Sequence, residues 1–294
     1  MKDHILEFVA SGTSLRKKRG LLIVSLEGSE TQIPFADISG VMILSEDVHL
    51  SSAVLSECLR QGVCIQFLDG KYMPHGLLTP YVGHRLMKAR LDAQLRLSEN
   101  QIRRLWQKVV IKKIQMQASC LEHSGKSAVL LKKFAQEVAP GDEGSHEAQA
   151  ARKYWSELFG SEFKREPEMA GLNSFLNYGY AVLRSAVARY VVACGLNPSL
   201  GIFHKNLENP FCLVDDLMEP FRPLVDFYCR EFAEEVELTP RVKRRLVDVL
   251  EHRITYRAET KPLRNVMLEY CQNFTKAVCA ADSSLFDLGF QIHF

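Results

Sequence analysis

Residues 197–223, NPSLGIFHKNLENPFCLVDDLMEPFRP, place titratable side chains directly among apolar ones. His204 follows a Gly-Ile-Phe run, and Asp215, Asp216 and Glu219 lie between leucine, valine, methionine and phenylalanine residues. Ionised carboxyl groups near an apolar core are unfavourable unless they are paired, protonated or bound to a cation. Because imidazole and carboxylate groups together suit Mg2+, Mn2+ or another divalent ion, this stretch predicts a metal site.

The same acids have a second interpretation as the start of a helix. Asp216 and Glu219 have the spacing of a capping box, in which Asp216 is the N-cap and Glu219 reaches back to its amide. Pro220 fits an early helical position better than a helix middle. The two interpretations are compatible, because a cap holds carboxylates in place and a metal ion requires ligands that are held in place.

Glu147 is a further candidate, at the start of the helix predicted at 146–159, in the sequence SHEAQAARKYW (145–155). Taken alone, it is best interpreted as a first-turn acid that complements the helix dipole. The pair His146-Glu147 does not continue into the H-E-x-x-H motif of zinc proteases, because residue 150 is alanine. Spacing alone does not predict that Glu147 meets residues 204 or 219.

Composition indicates a globular protein without a membrane partner. Of the 294 residues, 47% are hydrophobic and 24% are charged, with a net charge of +2. No apolar run approaches the ~20 residues that a membrane-spanning helix needs, and the N-terminal residues do not resemble a secretion signal. The eight cysteines form no C-x-x-C pair, which is typical of reduced core thiols. We therefore expect a cytoplasmic location.

The length favours two domains. Residues 20–78 predict strands near 21–26, 32–34, 41–44 and 62–67, a helix from Ser51 or Ser52 to Leu59, and turns at 69–70 and 75–76. From Arg85 onward helical periodicity dominates. Further helices are predicted at 127–138, 146–159, 173–194, 224–236, 240–252 and 262–281. The predicted fold class is α+β, with a mostly β domain at 1–78, a larger all-α domain at 79–294 and a hinge near 76–84.

Two helical segments are strongly basic. Residues 85–113 carry nine lysines and arginines against two acids, and residues 241–264 carry eight against three. Such runs are often solvated helix faces, and they are equally compatible with a phosphate-binding face. Two of them in a nearly neutral chain favour a polyanionic partner.

Four segments, taken in order, resemble the CRISPR adaptation integrases, and the wording is closest to versions from systems with a single-protein effector nuclease. The segments are EAQAARKY (147–154), GLNSFLNYGYAVL (171–183), GIFH (201–204) and DDLMEPFRP (215–223). The resemblance spans nearly the whole chain and includes the order of a β domain before an α domain.

This resemblance implies which residues form the site. The family's metal ligands, a glutamate, a histidine and a later acid, fall on Glu147, His204 and Glu219, with Mg2+ or Mn2+ as the cofactor. Asp216 is implied as a catalytic residue that either replaces Glu219 as the ligand or assists it. Lys205 and Arg222 are candidates for phosphate contacts, with solvated surface ions as the alternative.

The resemblance also implies an activity and partners. The expected enzyme is a metal-dependent DNA endonuclease and integrase that inserts short foreign DNA fragments as new spacers into a CRISPR array. The 3′-hydroxyl of the fragment attacks the repeat. Expected partners are double-stranded DNA, a second copy of the chain that dimerises through the β domain, a dimer of a smaller adaptation protein in a hetero-hexamer, and the effector nuclease. The alternative, based on the basic helices and the capping box, is a non-catalytic DNA-binding scaffold.

Overall fold

The computed structural model describes residues 4–68, 74–80 and 87–292. The chain divides into two compact units, Met1–Arg85 and Leu86–Phe294. The predicted turn at residues 69–70 lies outside the described residues, as does much of the predicted hinge at 76–84. The predicted turn at 75–76 is wrong, because these residues lie inside a strand, Pro74–Leu78.

The N-terminal unit consists mainly of two four-stranded sheets. Its strands in the described residues are β1 (His4–Phe8), β2 (Ser14–Lys18), β3 (Leu21–Leu26), β4 (Ser29–Pro34), β5 (Ile38–Ile43), β6 (His49–Leu50), β7 (Cys64–Leu68) and β8 (Pro74–Leu78). One sheet has the order β1-β5-β7-β8 and the other the order β4-β3-β2-β6. The antiparallel pairs β2-β3 and β3-β4 run along the chain as a meander.

A single core joins both sheets to the one α-helix described in this unit, α1 (Ser52–Gln61). Leu22 from one sheet, Ile65 from the other and Val54 from α1 belong to the same buried cluster. The helix follows Ser51 and ends at Gly62, whose φ of 67° is a left-handed conformation that glycine adopts without strain. The predicted helix and its glycine stop are confirmed.

The C-terminal unit is mainly helical. Its α-helices in the described residues are α2 (Met87–Leu95), α3 (Glu99–His123), α4 (Val129–Glu137), α5 (His146–Phe159), α6 (Leu172–Ala193), α7 (Cys212–Met218), α8 (Arg222–Cys229), α9 (Pro240–Val247) and α10 (Leu263–Ala280). Four of the predicted helices appear within one or two residues of their expected bounds, namely α4, α5, α6 and α10. No helix among the described residues is long and apolar enough to cross a membrane.

The prediction of an all-α C-terminal domain is wrong. A three-stranded antiparallel sheet forms there from β9 (Arg253–Tyr256), β10 (Glu259–Pro262) and β11 (Gln291–Ile292). The helix predicted at 240–252 ends at Val247, and a 3-10 turn precedes β9. The residues of β9, Arg-Ile-Thr-Tyr, include the β-branched and aromatic types that favour strands, but one of the partner strands is far along the chain and gives no local signal.

Two long helices organise this unit. Helix α6 is buried along most of its length and packs against α7, α8, α9 and α10. Helix α3 packs against α4, α5, α8 and the 3-10 turn Glu219–Phe221. The segments that carry residues 147 and 219 therefore meet on α3, although they are far apart in sequence. Seven of the eight cysteines are buried, as the sequence predicts.

Candidate metal centre

Asp216 lies within α7, and its carboxylate is fully buried. Its Oδ2 accepts hydrogen bonds from the backbone N–H groups of Ile202 (2.6 Å) and Phe203 (2.9 Å). Its Oδ1 accepts the backbone N–H of His204 (3.2 Å) and lies 2.6 Å from His204 Nδ1. One carboxylate therefore holds both the backbone and the ring of His204. These hydrogen bonds stabilise the buried Asp216 carboxylate.

Gly201 allows the loop to approach this carboxylate. A Cβ atom at position 201 would lie 2.4 Å from the carbonyl oxygen of His204 and 2.9 Å from Asp216 Oδ2. Both distances are shorter than real contacts of a Cβ atom, and the first involves backbone that cannot move away alone. The absence of a side chain at residue 201 is thus a requirement of the site.

The predicted capping box is wrong. Helix α7 begins after Phe211, so Asp216 is an interior helical residue, and Glu219 begins the following 3-10 turn. The box fails because the loop at 202–204 supplies the donors that the Asp216 carboxylate needs. Pro220 does occupy the first turn of its short helix, as its fixed φ predicts.

The ring of His204 is oriented by its carboxylate partner. The hydrogen bond with Asp216 raises the pKa of His204 above its ordinary value; burial opposes the shift, and the nearby Glu219 carboxylate adds to it. The side chain stays 39% exposed, and its ring meets that of Trp106 edge-on. With Nδ1 facing Asp216, the second nitrogen, Nε2, is the atom that would ligate a metal, as is usual for a histidine held by a carboxylate.

Glu147 lies in the first turn of α5, as predicted. The start of that helix is held by Asp142, whose two carboxylate oxygens accept the N–H groups of His146 (2.9 Å) and Glu147 (3.0 Å). The Glu147 side chain is 30% exposed and accepts a hydrogen bond from the ammonium group of Lys113 on α3. Asp142 and Lys113 are site residues that the sequence analysis did not identify.

Lys113 connects Glu147 to Glu219. Its Nζ lies 2.5 Å from Glu219 Oε2 in an ion pair, while Oε1 of Glu219 lies 2.9 Å from Arg222 Nε. Burial acts to raise the pKa of Glu219, but Arg222 and Lys113 outweigh it, and the pKa lies below its ordinary value. For Lys113, burial acts to lower the pKa, and the carboxylates of Glu219 and Glu147 raise it overall. Lys113 and Glu219 are therefore both charged.

Arg222 packs against a buried polar cluster formed by Tyr180, Tyr154 and Asp226. Its guanidinium stacks over the ring of Tyr180, 4.6 Å from the ring centre. The hydroxyl groups of Tyr180 (2.5 Å) and Tyr154 (3.0 Å) donate to the two carboxylate oxygens of Asp226. Burial raises the pKa of Asp226 to about 7, against the opposing effect of the two tyrosine hydroxyls and Arg222. This cluster fixes the position of Arg222 and, through it, of Glu219.

The other predicted or neighbouring charges have distinct surroundings. Lys205 is exposed on the loop after His204. Asp215 has other hydrogen-bond partners: its Oδ2 accepts hydrogen bonds from Arg184 and from Asn209 (2.7 Å). The structure thus places Glu147 and Glu219 on one cation and joins His204 to Asp216 beside them.

The donor set fits a divalent cation, although no three His, Cys, Asp or Glu side chains of the described residues are close enough together to hold one as they stand. Lys113 lies between two of these candidate ligands. The ammonium group of Lys113 contacts the carboxylates of both Glu147 and Glu219. The position between these two carboxylates therefore stabilises a positive charge, and the ammonium group occupies it. Two carboxylates and an oriented imidazole are suitable ligands for Mg2+ or Mn2+.

In the two basic segments, many of the cations already have partners within the chain. Among the described residues of the first segment (87–113), six cations form hydrogen bonds or ion pairs within the chain: Lys88, Arg90, Arg103, Lys108, Lys112 and Lys113. In 241–264, six cations have such partners, namely Arg241, Arg245, Arg253, Arg257, Lys261 and Arg264. The ammonium group of Lys243 lies 5.8 Å from the centre of the Tyr178 ring. Around α9, a shallow groove is lined by Arg241, Arg244 and Arg245 together with Pro240 and Asp248.

Comparison with solved structures identifies the fold. A casposase bound to its integration product aligns with a TM-score of 0.81 and 17% identity, over 100% of this chain and 96% of the other. A Cas6-RT-Cas1–Cas2 complex contains a chain that aligns with a TM-score of 0.78 and 18% identity, over 98% of this chain and 36% of that one.

Sequence comparison adds the family. The CRISPR-associated endonuclease Cas1 of Neisseria meningitidis serogroup C (strain 8013) is 37% identical over 254 residues, which cover 84% of this chain and 83% of the relative. The model of the family described as CRISPR associated protein Cas1 matches residues 8–245, a range that includes all four motif segments and the whole candidate metal centre. The chain therefore belongs to the Cas1 family of CRISPR-associated proteins.

Proposed function

We propose that this protein is a divalent-metal-dependent DNA endonuclease and integrase that inserts short foreign DNA fragments as new spacers into a CRISPR array. The observation that carries the proposal is the convergence of Glu147 and Glu219 on one cation, beside a histidine whose ring is held by Asp216. In a member of the Cas1 family, this arrangement supports catalysis of phosphodiester chemistry.

Five residues of the site have a task in this proposal. Glu147, Glu219 and His204 would hold Mg2+ or Mn2+, and the bound ion would polarise the target phosphodiester. Asp216 keeps His204 in one tautomer, with the proton on Nδ1. Arg222 keeps the Glu219 carboxylate in place and adds positive charge close to the reacting phosphate. These contacts stabilise the negative charge that develops on the phosphate in the transition state.

The reaction exchanges one phosphodiester bond for another. The 3′-oxygen of the incoming fragment forms a bond to the phosphorus of the repeat strand, and the bond from that phosphorus to its original 3′-oxygen breaks. The proton of the attacking hydroxyl is lost, and the displaced 3′-oxygen gains one. With water in place of the 3′-hydroxyl, the same site would hydrolyse the strand. Exposed Lys205 lies in sequence next to His204 and would contact a DNA phosphate.

The proposal is tested by a joining assay with the purified protein and its small partner. A fragment with 3′-hydroxyl ends should join a repeat-containing target only in the presence of Mg2+ or Mn2+. Glu147→Gln and His204→Asn should each reduce joining to background. Glu122→Gln, which neutralises an exposed carboxylate on α3 that pairs with Lys132, is the matched control and should join normally. Joining by both site variants would exclude the assigned site, and DNA binding without joining in the wild type would favour the non-catalytic scaffold.

We also propose the assembly in which the protein acts. A second copy would bind through the N-terminal β unit, and a dimer of the small adaptation protein would join two such pairs into a hetero-hexamer. A solved complex whose description contains both Cas1 and Cas2 supports this partner. Light scattering after co-expression should give the mass of the hexamer, whereas a persistent monomer would refute the assembly. Contact with the effector nuclease and action in the cytoplasm belong to the same proposal.

A further inference from the structure

Lys113 joins two of the three proposed ligands, yet the proposed chemistry gives this residue no task. Its side chain is 12% exposed, and its ammonium group contacts carboxylate oxygens of both Glu147 and Glu219. The two neighbouring lysines on the same helix behave differently, because Lys108 and Lys112 donate to main-chain carbonyl groups of the C-terminal segment. Lys113 is therefore distinguished by its partners, which are the proposed metal ligands themselves.

We propose that Lys113 is an internal counter-ion that occupies the place of the divalent ion in the metal-free protein and withdraws when that ion binds. This inference rests on the proposed metal site. In the metal-free state the ammonium group keeps Glu147 and Glu219 at one point. In the loaded state the ion takes over that task, and Lys113 loses both contacts.

Burial explains why such a counter-ion is needed. Only 8% of the Glu219 side chain is exposed, and a carboxylate in this position is strongly destabilising when it has no cationic partner. Arg222 faces one of its oxygens, and Lys113 faces the other. Without Lys113, the second oxygen of Glu219 and the Glu147 carboxylate would repel each other across the site. A metal-free protein that lacked this lysine would lose stability or open the site.

Charge also explains why the two cations exclude each other. A divalent ion bound to Glu147 and Glu219 would contact the carboxylates that Lys113 now contacts. The ion and the ammonium group would then lie close together in a partly buried site, where their positive charges repel each other. The flexible four-carbon stem of lysine allows the ammonium group to leave without movement of α3. The wild-type protein must therefore break two ion pairs for each metal ion that it binds.

The test is a measurement of Mn2+ binding by calorimetry, together with thermal unfolding, on full-length Lys113→Met, Lys108→Met and wild type. Lys113→Met should bind Mn2+ at least about tenfold more tightly than wild type, because repulsion from the nearby ammonium group is removed. Without metal its Tm should fall below that of wild type, and Mn2+ should restore it. Lys108→Met, a lysine of the same helix with a backbone partner, should bind Mn2+ as the wild type does.

An equal or lower affinity of Lys113→Met for Mn2+ would overturn the inference. If this variant does not fold without metal, Lys113→Arg decides: it keeps a cation beside the carboxylates, so it should fold and show no gain in affinity, and a gain would overturn the inference. Absence of Mn2+ binding by both wild type and Lys113→Met would overturn the proposed function as well. Metal-dependent joining by a wild type whose affinity equals that of Lys113→Met would overturn only the role of Lys113.

Discussion

Replacement of Asp216 by asparagine is expected to remove His204 from metal binding while the fold persists. The Asp216 carboxylate has two oxygens that both accept hydrogen bonds, and an amide of the same shape keeps only one. The amide oxygen is expected to face Ile202 and Phe203, whose two N–H groups compete for it. The amide NH2 then faces Nδ1 of His204.

The change of partner reverses the tautomer of the imidazole. An NH2 group can only donate to Nδ1, so the ring proton moves to Nε2, the atom that would otherwise ligate the metal. The backbone N–H of His204 also loses its acceptor. Removal of a carboxylate that orients a ligating histidine costs about 10- to 100-fold in metal affinity. This range corresponds to about 1.4–2.8 kcal/mol of binding free energy.

The stability of Asp216→Asn is expected to fall as well. Two hydrogen bonds to a charged acceptor become bonds to a neutral amide, and the partly buried N–H of His204 is left without its acceptor. Together these changes amount to about 2–4 kcal/mol of the free energy of unfolding. Urea denaturation of the metal-free variant measures this loss.

Calorimetry with Mn2+ and nitrogen NMR of the His204 ring test the reasoning directly. At a pH above the raised pKa of His204, where the ring is neutral, the NMR spectrum should show the proton on Nδ1 in wild type and on Nε2 in Asp216→Asn. Asp92→Asn, at a carboxylate that pairs with Lys88 on α2, serves as the control for loss of one negative charge in the same unit. An unchanged tautomer together with wild-type Mn2+ affinity in Asp216→Asn would refute the idea that Asp216 orients the ligand.

Two further substitutions test the packing behind the site. Gly201→Ala should lower the free energy of unfolding by about 1–3 kcal/mol, because its Cβ would lie 2.4 Å from the His204 carbonyl oxygen. Urea denaturation measures this loss of stability. Gly289→Ala is the milder control, because its Cβ would meet only a side chain, at 3.1 Å. Asp226→Asn should weaken the pH dependence of stability. The folded protein holds the Asp226 proton up to a pKa of about 7, whereas the unfolded chain releases it near 3.8, so wild-type stability falls as the pH rises between these values and levels off above them. The fall is at most about 4 kcal/mol, and denaturation of both proteins from about pH 5 to about pH 8 isolates it as a difference. Equal slopes in the two proteins would show that Asp226 is not the group responsible.

Local sequence patterns predicted much of the helical part of the fold. Helix α5 begins and ends where its apolar period and the glycine at 160 place it, and α6 was predicted within one residue at each end. These patterns are reliable because a helix satisfies its backbone hydrogen bonds within its own segment. The sheet of β9, β10 and β11 was missed because β11 lies more than thirty residues after its partner, and no local period encodes that pairing.

The sequence by itself determined the chemistry that is available: an imidazole and several carboxylates embedded among apolar residues, and motif segments whose order indicated the family. Only the tertiary structure decided how these groups are used. Asp216 and Glu219 have the spacing of a cap, yet the loop at 202–204 takes Asp216 as its anchor, while α3 brings Lys113 to both glutamates. A buried charge is stabilised by whatever donor or cation the fold brings within about 3 Å, and that neighbour can come from any distance along the chain. In the sequence, Lys113 is therefore one more member of a basic run, and only the tertiary structure shows that it lies between two acids.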